Sequence, residues 1–308
     1  MTTALYTHAA FLQHDTGAGH PERMQRLAAI LQAVKGPEFA DVKWREAPLA
    51  ELAQIERMHD ADYVREAMEA VPEQGWVHLD GDTIMSPGSG EAALRAAGAV
   101  TAAVGAVIKG EFKNAFCAVR PPGHHAEHAT AMGFCIFNNV AIGAAEARAV
   151  HGLAKVAVMD FDVHHGNGTQ HLFDRDPGLF YASTHQMPLY PGTGARAERG
   201  VGNICNAPLS PGAGSEEFRA AMEDTVLPAI AAFRPELIMI SAGFDAHRRD
   251  PLAALEFETE DYHWATERLC ALAAECCGGR VVSTLEGGYD LQALAESAAA
   301  HLAALMEA

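Results

Sequence analysis

Lys155-Val156-Ala157-Val158-Met159-Asp160-Phe161-Asp162-Val163-His164-His165-Gly166-Asn167-Gly168 decides how the rest of the chain is read. An apolar run of strand length leads directly into two acids, two histidines and an amide. In a strand, alternate side chains share a face. If the extended backbone continues past Met159, then Asp160, Asp162 and His164 point the same way. A carboxylate and an imidazole two residues apart supply hard oxygen and borderline nitrogen donors, which suit zinc or a similar divalent ion.

Three more segments repeat the plan. Residues 115–119 lead into Arg120-Pro121-Pro122-Gly123-His124-His125, residues 237–240 into Ser241-Ala242-Gly243-Phe244-Asp245, and residues 281–284 into Leu285-Glu286-Gly287-Gly288-Tyr289. Each is a short strand of buried type followed by a glycine turn and a polar residue. Ligands of open α/β sheets bind outside the carboxyl ends of the strands, so the four ends are expected to converge on one pocket. Asp245 then becomes the third metal ligand. The fourth position stays open for water, as catalytic zinc requires.

The remaining pattern supports such a sheet. Strands are expected at 4–6, 42–45, 115–119, 156–159, 179–183, 237–240 and 281–284. Amphipathic, Ala-rich helices are expected at 22–34, 61–70, 91–109, 138–150, 216–233, 259–277 and 291–306. This alternation predicts βαβ units, a mainly parallel sheet and an α/β fold. Ser215 before Glu216-Glu217, and Thr259-Glu260-Asp261, read as helix starts. The longest loops, 72–90, 120–134, 185–215 and 246–257, are rich in Gly, Pro, His or charge. No repeat or linker divides the chain, so residues 1–308 are expected to form one domain.

Composition narrows the class. About half of the 308 residues are apolar and 7% are aromatic, as in a globular enzyme. No run approaches the roughly 18 apolar residues of a membrane span. The N-terminus lacks the basic and apolar regions of a secretion signal, which makes the cytoplasm the expected location. Cys117, Cys135, Cys205, Cys270, Cys276 and Cys277 include no C-x-x-C pair, so free thiols are expected. A formal net charge of −18 argues against nucleic-acid binding and suits a cationic partner.

Together these segments resemble the histone deacetylase family, nearest to class II and the bacterial histone deacetylase-like amidohydrolases. The motifs are R-P-P-G-H-H, G-F-C-I-F-N-N, D-F-D-V-H-H-G-N-G-T-Q, S-A-G-F-D-A-H and L-E-G-G-Y. Each alone is weak, but five in family order are specific. The resemblance runs from Gly19-His20-Pro21-Glu22-Arg23 to Tyr289. It implies a single-domain arginase–deacetylase fold with a central, mostly parallel eight-stranded sheet flanked by helices. It implies one zinc ion on Asp162, His164 and Asp245. His125 corresponds to the main general base and acid, His124 to its electrostatic partner, and Asp160 to the acid bonding His124. Asn167 corresponds to the group bonding His125, where class I enzymes carry Asp. Tyr289 matches the tyrosine that donates to the substrate carbonyl.

The resemblance also implies an acyl-lysine tunnel walled by Phe134 and Tyr190, with Gly133 offering a backbone carbonyl. The family more often has Phe where Tyr190 stands. Leu252 matches a gatekeeper position where polyamine-specific relatives carry Glu. A structural potassium ion is implied near Asp160, Asp162, His164, Ser183 and Thr184. His20 is assigned to structure. The expected activity is zinc-dependent hydrolysis of acetyl-lysine or a related acylated amine. Alternatives are an acetylpolyamine or other small acylamine amidohydrolase, a non-catalytic acyl-lysine binder, and a two-manganese ureohydrolase. Gly166 and Asn167 stand where the last would need further acids. The ligand set accepts iron as well as zinc. The sequence leaves acyl length and oligomeric state open, and a homo-oligomer is compatible with it.

Overall fold

The computed structural model describes residues 2–308. Ten strands occur in chain order: β1 (Thr3–Thr7), β2 (Lys43–Glu46), β3 (Val77–His78), β4 (Ile84–Met85), β5 (Asn114–Cys117), β6 (Val156–Asp160), β7 (Leu179–Gln186), β8 (Ile204–Leu209), β9 (Leu237–Ala242) and β10 (Val281–Leu285). Strands β3 and β4 form a small antiparallel pair. The other eight form one sheet in the order β2-β1-β5-β10-β9-β6-β7-β8, and every pairing in it is parallel.

The inner strands are continuous apolar runs because helices cover both faces. Val-Ala-Val-Met-Asp of β6 and Leu-Ile-Met-Ile-Ser-Ala of β9 are buried throughout. Helices Ser89–Ile108 and Asn139–Ala149 pack together over one face; Met24–Ala33, Thr259–Cys277 and Leu291–Glu307 form a second layer. The edge strand β2 is exposed along its length and carries Lys43, Arg45 and Glu46. Charges of this kind protect an open edge from pairing with other chains.

Several expectations change. Residues 185–215 contain β8, an edge strand whose Pro208 and polar Asn206 disguise it; proline is tolerated there because the outer side of the strand is unpaired. The expected helix at 216–233 is two helices, Ser215–Ala221 and Leu227–Phe233, joined by a π-helical turn at Met222–Val226. Pro228 lacks an amide hydrogen, and the widened turn precedes it. The first of these helices is capped at Gly214 rather than Ser215, with Glu217 accepting the Gly214 amide. Short helices at Leu52–Ile55 and Asn167–Phe173 lie where the sequence pattern predicts none. Helix Ser89–Ile108 is long and apolar enough by composition to cross a membrane, contrary to the sequence reading, yet 72% of that window is buried within the protein. It is an Ala- and Gly-rich core helix, seated against β5 and β10.

A parallel sheet aligns the carboxyl ends of its strands. Asp160 lies opposite Ser241 on one side and Ser183 on the other, and Thr284 lies beside both Ser241 and Cys117. The segments that follow β5, β6, β9 and β10 therefore emerge on one rim of the sheet.

Candidate active site

The backbone after β6 does not stay extended. Asp160 Oδ1 accepts the Asp162 amide at 3.1 Å, and Asp162 Oδ1 accepts the His164 amide at 2.9 Å. A carboxylate that accepts the amide two residues on makes an Asx turn, and two in succession coil this segment. Coiling, rather than strand alternation, brings Asp162 and His164 together. Asp245 arrives from the loop after β9, where its Oδ1 accepts the Val163 amide at 2.8 Å.

The three side chains are buried, and their ligand atoms all lie within 4.8 Å of one another. His164 Nδ1 is 3.1 Å from both Asp162 Oδ1 and Asp245 Oδ2. Two carboxylates enclosed this closely require positive charge. Burial opposes a charged His164, but bonds to Asp162 and Asp245 outweigh it and push the imidazole up to about 10. Burial and the Asp162 charge raise Asp245. Two oxygens and one nitrogen fit a divalent ion. The backbone also leaves room for the two carboxylates: a Cβ on Gly243 would collide with Asp162, and one on Gly287 with both Asp245 and Asp162. Gly287 donates its amide to Asp162 Oδ2 at 2.8 Å.

Beside this group the rings of His124 and His125 lie 4.0 Å apart. They are driven in opposite directions. For His124, burial is overcome by the charges of Asp162 and Asp160 and by a 3.0 Å bond from Nδ1 to Asp160, so it is pushed up to about 10. For His125, burial and the charges of His124 and His164 hold the ring well below the usual histidine range. The two imidazoles are thus shifted in opposite directions, the separation expected of acid and base partners. His125 Nδ1 meets Asn167 Oδ1 at 2.8 Å. Tyr181 of β7 donates to Asp160 at 3.1 Å and accepts the Gly166 amide.

Further groups hold the segments in place; Glu22, Arg120 and Glu286 stand within the sequence motifs, but their partners are distant in sequence. Glu286 is buried at the end of β10; it accepts the amides of Gly123 and His124 and the Ser241 hydroxyl. Arg26 donates to the carbonyls of Gly288 and Glu286 at 2.5 and 2.6 Å, and its guanidinium lies 4.9 Å from the centre of the Tyr289 ring. Glu22 pairs with Arg26 at 3.1 Å and with Arg120. Asp250 accepts the Tyr289 amide at 2.7 Å. A buried ion network thus ties the tyrosine loop to the first helix and to the segment after β5. Burial raises Tyr289 well above the usual phenol range, so its hydroxyl remains a hydrogen donor.

A pocket of about 260 Å³ opens over these residues, lined by Asp82, His125, Gly133, Phe134, His164, Leu189, Tyr190, Leu252 and Tyr289. Larger depressions, such as one of about 350 Å³ at Lys113, Cys270 and Ala304, contain none of them. Phe134 adopts φ 69°, and a Cβ on Gly133 would strike the His125 ring. Phe134 stands edge-on to Tyr289 at 5.9 Å, and Tyr190 edge-on to His125 at 5.2 Å. His20 packs on Phe134 and bonds the Asp82 backbone oxygen. Of the residues expected from the sequence, His125, Gly133, Phe134, His164, Tyr190, Leu252 and Tyr289 line this pocket, while Asp82 and Leu189 line it without a sequence signal. Ser183 and Thr184 sit behind, with Ser183 bonded to His185 and the buried Thr184 hydroxyl without a partner. All six cysteines are free, and five are buried.

Residues 20–305 match the family model of the histone deacetylase domain. Histone deacetylase 14, chloroplastic, of Arabidopsis thaliana is 39% identical over 98% of this chain and 76% of its own. The histone deacetylase-like amidohydrolase of Pseudomonas aeruginosa is 40% identical over 91% of this chain and 75% of its own. The crystal structure of the HDA15 HD domain superposes with a TM-score of 0.93 at 35% identity, covering 99% of this chain and 88% of that one. With its fold, its pocket and its sequence in agreement, the chain belongs to the histone deacetylase family and is a hydrolase that acts on amides.

Proposed function

We propose that this protein is a zinc-dependent deacylase that cleaves acetyl-lysine or a closely related acylated amine. The observation that carries the reading is the convergence of Asp162, His164 and Asp245 beneath a pocket whose wall includes His125 and Tyr289. A divalent ion held by those three ligands supplies Lewis acidity, polarising the amide carbonyl and acidifying a water molecule. Phe134 and Tyr190 flank the acyl-lysine stem and keep bulk water from it. The neutral His125 takes a proton from the attacking water and later returns one to the departing amine. His124, whose charged form Asp162 and Asp160 favour, stabilises negative charge developing on the substrate. Tyr289 donates its hydroxyl hydrogen to the oxyanion. The absence of acids at Gly166 and Asn167 favours one ion over two.

Potassium belongs to the same proposal. Asp160 lies opposite Ser183, and the unpartnered Thr184 hydroxyl is next in the strand, so a monovalent ion there would complete the polar contacts behind His124.

The test is amine release from an acetyl-lysine peptide by zinc-loaded protein, with a chelator control. Turnover that the chelator abolishes is the expected result; binding without turnover would make the chain an acyl-lysine binder instead. The Asp82 carboxylate at the pocket wall also suits a small cationic amine, so acetylputrescine belongs in the same assay. Leu252, an apolar side chain at the pocket, favours the peptide.

A further inference from the structure

The Asn167 amide has four neighbours, and only one of them carries a full charge. Its nitrogen faces Glu127 Oε1 at 2.7 Å, Met132 Sδ at 3.3 Å and the His125 carbonyl at 3.4 Å; its oxygen faces His125 Nδ1 at 2.8 Å. Asn167 is buried, so water does not compete for it. Turning the amide over would set its oxygen against a carboxylate oxygen and its NH₂ against Nδ1. The charge-assisted bond to Glu127 excludes that orientation.

We propose that Glu127 is a positioning residue of this hydrolase, acting through Asn167 on the tautomer of His125. With Glu127 holding the amide nitrogen, Asn167 offers His125 only an acceptor. Nδ1 must then carry the hydrogen, which leaves the lone pair on Nε2, the other ring nitrogen. The second Glu127 oxygen lies 3.4 Å from His171 Nδ1, so the relay reaches the surface through a half-exposed carboxylate. Neutral asparagine by itself has no preferred face toward an imidazole; the acid sets it.

The inference rests on the deacylase reading for its kinetic arm. Glu127→Ala should lower kcat on an acetyl-lysine peptide by about tenfold or more, the usual scale for groups that orient a ligand or base, with KM little changed. Glu127→Gln keeps a carbonyl acceptor and should restore most of the loss. In an Asn167→Asp background the carboxylate accepts from Nδ1 whichever way it turns, so Glu127→Ala should there cost nothing or raise kcat. Equal kcat with and without Glu127, or the same loss in both backgrounds, would overturn the proposal. ¹⁵N NMR of histidine-labelled, zinc-loaded protein reads the tautomer directly: His125 should be protonated at Nδ1 in the parent and mixed in Glu127→Ala. An unchanged Nδ1–H spectrum in the variant would also overturn it. No turnover by the parent defeats the deacylase reading instead, and the spectrum still decides this one.

Discussion

In the proposed mechanism, Tyr289 and the histidine pair divide the chemistry at the level of single atoms. Tyr289 has no contact with the three candidate ligands that its hydroxyl alone would break, so Tyr289→Phe should keep the metal. It should lose turnover by about 10²–10³-fold, the cost of removing an oxyanion donor; metal content and kcat measured on one preparation check both halves. Near-parental kcat would remove Tyr289 from the mechanism. His125 is shifted down and lines the pocket, while His124 is shifted up and is not part of its lining. His125→Ala should therefore cost more kcat than His124→Ala, and the opposite ranking would exchange their roles. These side chains were legible in the sequence because each ends a strand-glycine segment. Glu127 and Asp82 were not, since what gives them meaning is a neighbour 40 or 51 residues away.

Among the elements, the first helix matters more than its sequence suggests. Glu22, just before it, and Arg26 within it are fully buried with Arg120. Charges taken from water this completely hold only while each has its partner. Glu22→Gln should leave two guanidinium groups short of counter-charge and cost about 3–5 kcal/mol, read as a lower urea midpoint. It should also loosen the tyrosine loop that Arg26 holds, so a variant with unchanged stability would deny the network its structural role. The inner strands announce themselves as Val- and Ile-rich runs. β8 does not, because an edge strand needs neither a continuous apolar face nor an amide at every position. The helix at Asn167–Phe173 is hidden for another reason: its first residues belong to the polar motif and carry no apolar periodicity.

For the molecule as a whole, acid is the revealing stress. His301 is buried between helix and sheet, with Nδ1 2.6 Å from Thr266 Oγ1 and Nε2 2.8 Å from Ser283 Oγ. Burial lowers it to about 3, and burial likewise lowers His59 to about 4. In the unfolded chain a histidine titrates near about 6.5. Below that pH the unfolded chain takes up protons that these two buried rings refuse, so the stability they contribute is full above about 6.5 and declines as pH falls toward 3. Urea midpoints at pH 7 and pH 5 should show the decline, and His301→Asn should make it shallower. Identical slopes in parent and variant would mean that His301 does not carry it.

One feature of the sheet order bears on how such a chain comes into being. β10 joins β5 on one side to β9 on the other, so the group β2-β1-β5 and the group β9-β6-β7-β8 meet only through it. It is also the last strand of this sheet to leave a ribosome. Until residues 281–285 emerge, the nascent polypeptide holds two half-sheets with raw facing edges, each an invitation to mispair. Synthesis of this protein therefore depends on keeping those edges apart from the emergence of β9 until β10 follows it, and a chain halted in that interval has no continuous sheet to build.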